Sequence, residues 1–343
     1  MLPERGGDRS PATHAHGAWY NRTPMTRLSR REFAALTAAA AAAPFAFGPD
    51  ASAAAALTAK ELLDRITAHI GVAWKPDTVD GLKVGDPSTV VTGVVTTAMA
   101  SLSVLQRAVE AGANVVITSQ PTFYAKADTR TPPVPRGPGG GPPGAAPATA
   151  TAMPPAPPAA PPDAVYAAKN AFIDQHKLVI IRLNEHWKLR DPDPQAIGLA
   201  QAMGWTTHQI AGDARRYDVP AVTVAALAAA LHKNLGVSGG IRIVGDAKTS
   251  LRRIGVLPGS TPIQASLKLL PEVDAIVAGE VREWESVEYA RDQVAAGHKK
   301  ALILIGRISS EEPGMRVCAD WLKTLAPGLP VRHIAAGDPY WRP

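Results

Sequence analysis

The sequence predicts an α/β protein built from two similar α/β halves packed around a central cleft. Short β-branched runs alternate along the chain with amphipathic helical stretches, which is typical of this fold class. Two distant segments share one strand–helix–strand layout. Hydrophobic residues make up 46% of the 343 residues, enough for a sizeable core.

The first part of the chain begins with a predicted helix over Leu57–Ile70, where leucine and isoleucine recur at helical spacing. Further helices are predicted over Ser101–Gly112, Ala164–His176 and Pro194–Met203, and strands over Val90–Thr97, Asn114–Thr118 and Leu178–Leu183. Gly112 suits the left-handed position that closes a helix.

The second part repeats the alternation. Helices are predicted over Val222–Leu235, Pro262–Leu270, Ser286–Ala296 and Glu312–Leu325. Strands are predicted over Ile241–Val244, Arg253–Leu257, Asp274–Ala278, Ala301–Ile305 and Val331–Ile334.

An internal repeat relates the two halves. Gly93–Gln120 and Gly255–Glu280 each run strand, polar turn, helix and strand. Each ends on a polar pair, Ser119-Gln120 in the first and Gly279-Glu280 in the second. Ligands of α/β sheets bind at the carboxyl ends of strands, so the candidate site is where these ends meet.

The N-terminal region reads as a twin-arginine export signal over residues 1–53. Ser-Arg-Arg-Glu-Phe at 29–33 precedes the apolar run Ala34–Phe47 and the small-x-small pattern Ala51-Ser52-Ala53. Residues 1–24 precede a second methionine and are interpreted as an over-called start. The alternative is a hydrophobic arm of the mature protein. The run is too short and too weakly apolar for a stable membrane span, so we expect a soluble periplasmic or extracellular protein.

Residues 131–162 form a Pro/Gly/Ala tract with almost no charge, which predicts a disordered spacer between residues 54–130 and 163–343 of the α/β domain. A proline-rich ligand for a partner domain is the alternative. The net charge of +6 includes the leader's arginines, and no dense basic tract remains. We therefore expect no nucleic-acid partner. The single cysteine, Cys318, excludes an internal disulfide and a cysteine zinc site, and we expect it in the core of the last helix.

Polar clusters follow several predicted strands and are the candidates for chemistry. They are Ser119-Gln120-Pro121, Asn184-Glu185-His186, Gly279-Glu280 with Glu283 and Glu285, and Arg307 with Glu311 and Glu312. His and Glu are suitable ligands for Zn²⁺, Mn²⁺ or Fe²⁺, although solvated loops of a stable scaffold have the same composition. The sequence has no phosphate loop, no G-x-S-x-G and no H-E-x-x-H motif.

Two blocks of sequence resemble a known family. VVTTAMASLSVLQRAVEAGANVVITSQPTFY and DAIVAGEVREWESVEYARDQVAAGHKKALILIGRISSEEPGM are similar to the first and second halves of the GTP cyclohydrolase I type 2-like, dinuclear metal-centre proteins, the NGG-interacting-factor family. The resemblance covers roughly 57–330 apart from the insertion. It implies paired α/β domains, a homo-oligomer that is often a hexameric ring, and two divalent metals in the cleft. It also implies a label of metal-dependent hydrolase.

The metal ligands that the resemblance implies are only partly present. Ser119 and Gln120 stand where His-His or His-Glu is expected, and Arg307 stands where His is expected. Glu311 matches, and Glu185 or His186 matches in the middle block. An intact site would need other ligands, such as Glu280 or His298.

These substitutions lead to a hypothesis about the cleft. Ser and Gln are poor ligands and arginine is a permanent cation, so we expect the dinuclear site to be lost or reduced to one weak divalent ion (Zn, Mn or Fe). Arg307, Lys126 and Lys188 would then bind a small anionic ligand, in a protein with a binding or scaffold role. The alternative is a metal-dependent hydrolase with a rearranged site. A regulatory, nucleic-acid-associated role is disfavoured by export.

Overall fold

The structure is a computed structural model that describes residues 56–133 and 163–341. The leader predicted over 1–53 and all but the first three residues of the predicted spacer lie outside these ranges. The described part is mixed α/β, as the alternation of strand and helix patterns predicts.

The first sheet has the strand order β1-β4-β3-β2-β11. Its strands are β1 Gly81–Val84, β2 Val94–Thr97, β3 Val115–Thr118, β4 Val179–Arg182 and β11 Val331–His333. The pairs among β2, β3, β4 and β11 are parallel, and β1 joins β4 in the antiparallel direction. Every residue of β2, β3 and β4 is buried, because helices cover both faces of a parallel sheet.

The second sheet has the strand order β5-β6-β8-β9-β10-β7. Its strands are β5 Gln209–Ile210, β6 Asp213–Thr223, β7 Arg242–Val244, β8 Ser250–Ser260, β9 Ala275–Glu280 and β10 Ala301–Leu304. β8, β9 and β10 run parallel in its centre, while β6 and β7 pair with that core in the antiparallel direction.

Nine α-helices connect the strands of the described ranges. They are α1 Ala59–His69, α2 Leu102–Glu110, α3 Ala164–Gln175, α4 Glu185–Leu189, α5 Pro194–Ala202, α6 Val224–Leu235, α7 Ile263–Leu269, α8 Glu288–Ala295 and α9 Arg307–Leu325. Short polar side chains begin several of them: Thr58 caps α1 in a capping box, and Ser101, Asp163, Asp193 and Thr223 accept from first-turn N–H groups.

The predicted internal repeat is present as two parallel strand–helix–strand units. In the first unit β2 and β3 flank α2, and in the second β8 and β9 flank α7. Ser119-Gln120 follows the carboxyl end of β3 in the first unit, and Gly279-Glu280 forms the carboxyl end of β9 in the second. The two-halved α/β architecture predicted from the sequence is therefore observed.

Helix α9 joins the two halves. It contacts β2 and β11 of the first sheet, β8 and β9 of the second, and the helix α5. Its apolar side chains Met315, Cys318 and Leu322 are fully buried in the core of the first half. Cys318 is therefore a core residue, as predicted, and its burial raises the pKa of the thiol, which disfavours the reactive thiolate.

Several boundaries differ from the sequence prediction. α9 begins at Arg307 and not at Glu312, so Pro313 lies inside the helix. A π-helical turn over Glu283–Val287 precedes α8, and Trp284 within it is 72% exposed, so this ring does not pack in the core. Among the described helices, none is long and apolar enough to cross a membrane.

Candidate functional site

A cleft of about 1080 Å³ lies where the carboxyl ends of β3, β4, β9 and β10 converge. The cleft is lined from both halves of the molecule, which matches the site position expected from the internal repeat. Its lining includes Gln120, Asn184, Glu185, Gly279, Glu280, Arg307, Lys126, Arg182, Tyr124 and Tyr340.

Glu311 is the polar centre beside this cleft, and its side chain is fully buried. Its Oε2 accepts hydrogen bonds from Ser119 Oγ at 2.8 Å and from Gln120 Nε2 at 2.6 Å. Its Oε1 accepts from Lys188 Nζ at 2.8 Å. Asn184 Nδ2 donates to Ser119 Oγ at 2.7 Å, which leaves the hydroxyl proton for the carboxylate. The carboxylate is thus held by a buried network of donors.

Two cations lie near the Glu311 carboxylate, and Lys188 is the closer one. Arg307 Nε lies 3.9 Å from Glu311 Oε1, beyond hydrogen-bond distance, whereas the ammonium of Lys188 is in contact. Lys188 is 25% exposed at its side chain and is engaged with the carboxylate. Lys188, predicted among the residues that bind an anionic ligand, is thus already paired with Glu311, and Arg307 lies farther from the same carboxylate.

Two glycines allow α9 to approach the sheet this closely. A Cβ at Gly259 would collide with Oε1 of Glu311 and would lie 2.8 Å from Lys188 Nζ. Gly259 also has a φ of +78°, which an L side chain rarely adopts, and its N–H donates to Ser310 Oγ at 2.9 Å. A Cβ at Gly279 would lie 2.8 Å from the backbone N of Gly259. Gly279 thus has no side chain because the backbone of Gly259 lies against it.

His186 is not available as a ligand in this arrangement. Its ring is fully buried, with Nδ1 2.8 Å from Asp80 Oδ2 and Nε2 accepting from the backbone N–H of Lys75 at 2.9 Å. The ring also stacks on Trp74, with centroids 4.0 Å apart. Because both nitrogens are occupied, the prediction of His186 as a metal ligand is wrong for this structure. The signal that could have identified its partner, Asp80, was an acidic residue just before the unpredicted strand β1.

Glu185 lines the cleft, but its carboxylate already has donors. Its Oε2 accepts from Thr78 Oγ1 at 2.9 Å and from the backbone N–H of Val79 at 3.3 Å. Burial acts to raise its pKa, yet these hydrogen bonds and the nearby charges of Lys126 and Arg182 outweigh that effect and hold the pKa below its usual range. Glu185 is therefore ionised at neutral pH.

The remaining candidates lie apart from Glu311. Glu312 contacts β11 and the segment after it in the first sheet: His333 Nε2 lies 3.2 Å from its Oε2, and the N–H of Ala336 donates to its Oε1 at 2.7 Å. Glu280 is exposed on the cleft wall. His298 precedes the amino end of β10, opposite to the cleft end of that strand, so it cannot complete a site there.

The residues around Glu311 do not fit the dinuclear metal centre that the fold implies. Within residues 56–133 and 163–341, no group of three or more His, Cys, Asp or Glu side chains could hold a metal ion. The groups that contact Glu311 are an ammonium, an amide N–H and a hydroxyl that donates its proton. An ammonium cannot coordinate a cation, and it is in direct contact with Oε1 of the carboxylate.

One loop carries Tyr124 and Lys126 to the cleft mouth. Lys169 stabilises this loop from the interior: its side chain is buried, the residue being 1% exposed, and its Nζ donates to the backbone O of Thr122 at 2.5 Å. Its Nζ lies 4.9 Å from the centre of the Tyr124 ring, and burial lowers its pKa to about 8. Asp128 Oδ1 accepts from the N–H of Phe123 at 2.7 Å, closing the loop. The loop is thus held by buried polar contacts, and the Tyr124 side chain is 55% exposed.

Comparison with known proteins identifies the fold. No protein-family model and no curated protein matches the chain. Among solved structures, the Staphylococcus aureus hypothetical protein SA1388 has a TM-score of 0.58 at 17% identity, covering 83% of this chain and 99% of its own. Protein ybgI, of unknown function, has 0.56 at 20%, covering 82% and 100%. A Bacillus cereus protein related to NIF3 has 0.57 at 14%, covering 84% and 100%.

These structures are matched over nearly their whole length, so the likeness extends through both halves. The identities are low, and what they carry is the architecture. The fold of this chain is that of the NIF3-related α/β proteins, the family that its two sequence blocks resemble.

Proposed function

We propose that this protein is a metal-free relative of the dinuclear metal-centre proteins and that its cleft binds a small anionic molecule. One observation carries the proposal: the buried Glu311 carboxylate is already neutralised by Lys188 and hydrogen-bonded by Ser119 and Gln120. Three of the roughly four lone-pair sites of this carboxylate are already occupied by donors, and the ammonium of Lys188 beside it repels a divalent ion.

The charges that remain in the cleft support an anionic ligand. Arg307 lines the cleft, and its nearest carboxylate is saturated by other donors. Lys126 is exposed on the opposite wall. The carboxylates of Glu185 and Asp338 accept backbone N–H groups, so they do not compete strongly for these cations. Cationic groups whose N–H donors have no hydrogen-bond acceptor favour an anion through charge-assisted hydrogen bonds.

The metal-dependent hydrolase is the alternative, and metal content separates it from this proposal. The mature protein, purified without chelators from its native compartment, is expected to hold only substoichiometric zinc, iron or manganese by elemental analysis. Adding Zn²⁺ or Mn²⁺ is expected to leave its melting temperature unchanged, because an ion that binds only the native state would raise it.

The control for this experiment is Glu311→Gln, which removes the buried carboxylate that matches the implied ligand set. Stoichiometric metal in the parent protein that disappears in Glu311→Gln would establish a metal centre at this position and overturn the proposal. A metal content that is equally low in both proteins supports it.

We further propose that the protein acts outside the cytoplasm. The support is the Ser-Arg-Arg-Glu-Phe motif followed by an alanine-rich apolar run. Cell fractionation of the full chain is expected to find a shortened protein in the export compartment. Replacing both Arg30 and Arg31 by lysine is expected to retain the unprocessed chain in the cytoplasm. Equal processing of both versions would contradict export by this route.

A further inference from the structure

Helix α9 opens its N-terminus onto the cleft. Gly306, its N-cap, has a φ of +85° and no side-chain cap, and it lines the cleft together with Arg307, Ile308 and Ser309. The first backbone N–H groups of a helix have no partner within the helix. In the described part of the chain, no acceptor is bonded to the N–H of Arg307, Ile308 or Ser309. The helix has 19 residues, so its positive end adds to these donors.

Arg182 is a second and independent sign of a ligand. It ends β4, lines the same cleft and is only 5% exposed. Its Nη1 donates to the backbone O of Lys126 at 2.9 Å, but its buried Nε has no hydrogen-bond partner among the described residues. A buried guanidinium nitrogen without an acceptor is costly, because burial removes its water without replacing it.

Arg307 adds a second guanidinium to the same place. Its Nε is likewise buried without a hydrogen-bond partner in the described ranges. Burial lowers the pKa of Arg182, the charges of Asp128, Asp80 and Glu185 oppose that effect, and the charge of Arg307 adds to it. Both arginines line the same cleft, so an anion bound to both would supply the missing hydrogen bonds and reduce the repulsion between their charges.

We propose that Arg182, Arg307 and the first turn of α9 bind the phosphate group of a small phosphomonoester; this inference rests on the anion-binding function proposed above. Two guanidinium groups and several backbone N–H groups offer more donors than the two oxygens of a carboxylate can use. A phosphate presents three terminal oxygens and up to two negative charges, which suits this set.

The residues at the mouth of the cleft indicate which organic group the phosphate carries. Tyr124 and Tyr340, which are 55% and 71% exposed, line it together with Pro121 and Pro339. Tyr340 is held through its backbone: its O accepts from Ser238 Oγ at 3.1 Å and its N–H donates to Asp338 Oδ1 at 3.0 Å. Two exposed tyrosine rings favour a flat aromatic group, so the ligand class is an aryl phosphomonoester.

Calorimetric titration with phenyl phosphate, inorganic phosphate and benzoate tests the site. Phenyl phosphate is expected to bind more tightly than either of the others. Arg182→Met is expected to weaken phenyl phosphate binding by about tenfold or more, the loss typical of a hydrogen bond to a charged group. Tyr124→Ala is expected to weaken phenyl phosphate binding and to leave inorganic phosphate binding unchanged. Arg307, which is 36% exposed at its side chain, gives the second variant, Arg307→Met, should Arg182→Met fail to fold.

The matched control is Arg242→Met. Arg242 also lines the cleft, but its Nη1 is paired with Glu283 Oε1 at 2.5 Å and its side chain is 63% exposed. Its loss is expected to change affinity by less than about threefold, as for an exposed ion pair. An equal loss of affinity in Arg242→Met and Arg182→Met would overturn the proposed site, because it would mean that the overall positive charge of the cleft attracts the anion. Benzoate binding as tightly as phenyl phosphate would overturn the phosphate assignment but not anion binding. Absence of binding by all three anions would overturn both.

Discussion

Replacing Lys188 by methionine is expected to lower the free energy of unfolding by about 3–5 kcal/mol, the cost of breaking a buried ion pair from one side. The Glu311 carboxylate is fully buried, and Lys188 is the cation in contact with it, at 2.8 Å. Without the ammonium, the buried carboxylate keeps the donors Ser119 and Gln120, and its nearest remaining cation is Arg307, whose Nε lies 3.9 Å from Oε1, beyond hydrogen-bond distance. Urea unfolding followed by circular dichroism measures the change.

Two further variants make this result specific. The double variant Lys188→Met with Glu311→Gln removes both charges, and it is expected to recover most of the lost stability because no uncompensated charge remains. Lys323→Met removes a lysine whose partner, Asp320, is exposed, and is expected to cost less than about 1 kcal/mol. If Lys188→Met were as mild as Lys323→Met, the ammonium would not be what neutralises Glu311.

The sequence indicated which residues would meet at the site better than it indicated their roles. Ser119, Gln120 and Glu311 were predicted together, since polar residues after parallel strands converge at one edge of a fold, and the structure joins all three. The role of Lys188 depends on where its side chain points from α4. This helix is only five residues long, and its sequence did not predict a helix. A lysine can reach several partners, so its position in the chain alone does not identify the carboxylate that it contacts.

The elements that escaped prediction share a physical cause. β1 is only four residues long, mostly half-buried, and contains Gly81 and Lys83. β6 carries Asp213, Arg215, Arg216 and Asp218 and so lacks the apolar alternation of a strand, because its charges pair along an exposed sheet: Arg253 Nε binds Asp218 Oδ1 at 2.7 Å. Both strands pair in the antiparallel direction at the outer part of their sheets, where tertiary pairing overrides the local pattern. The fully buried parallel strands, by contrast, were predicted within a few residues.

Replacing Gly198 by alanine tests how α9 is held in place and is expected to destabilise the protein by at least about 2 kcal/mol. A Cβ at Gly198 would lie 2.5 Å from the backbone N of Gly314 and from the backbone C and O of Pro313. These are backbone atoms of α9, so no side chain can rotate away and the two helices must separate. Alanine favours helix formation by about 1 kcal/mol over glycine, so any measured loss understates the clash.

Because α9 carries Glu311 and the first turn at the cleft, the same separation is expected to weaken phenyl phosphate binding in whatever Gly198→Ala protein remains folded. Gln201→Ala, at an exposed position of the same helix α5, is the control and is expected to change neither stability nor binding beyond about 0.5 kcal/mol. Unfolding in urea with an unchanged slope and a lower midpoint would establish a loss of packing rather than of cooperativity. If Gly198→Ala were as stable as Gln201→Ala, α5 and α9 could separate at no cost. The geometry of the cleft would then not depend on the contact of Gly198 with Pro313 and Gly314.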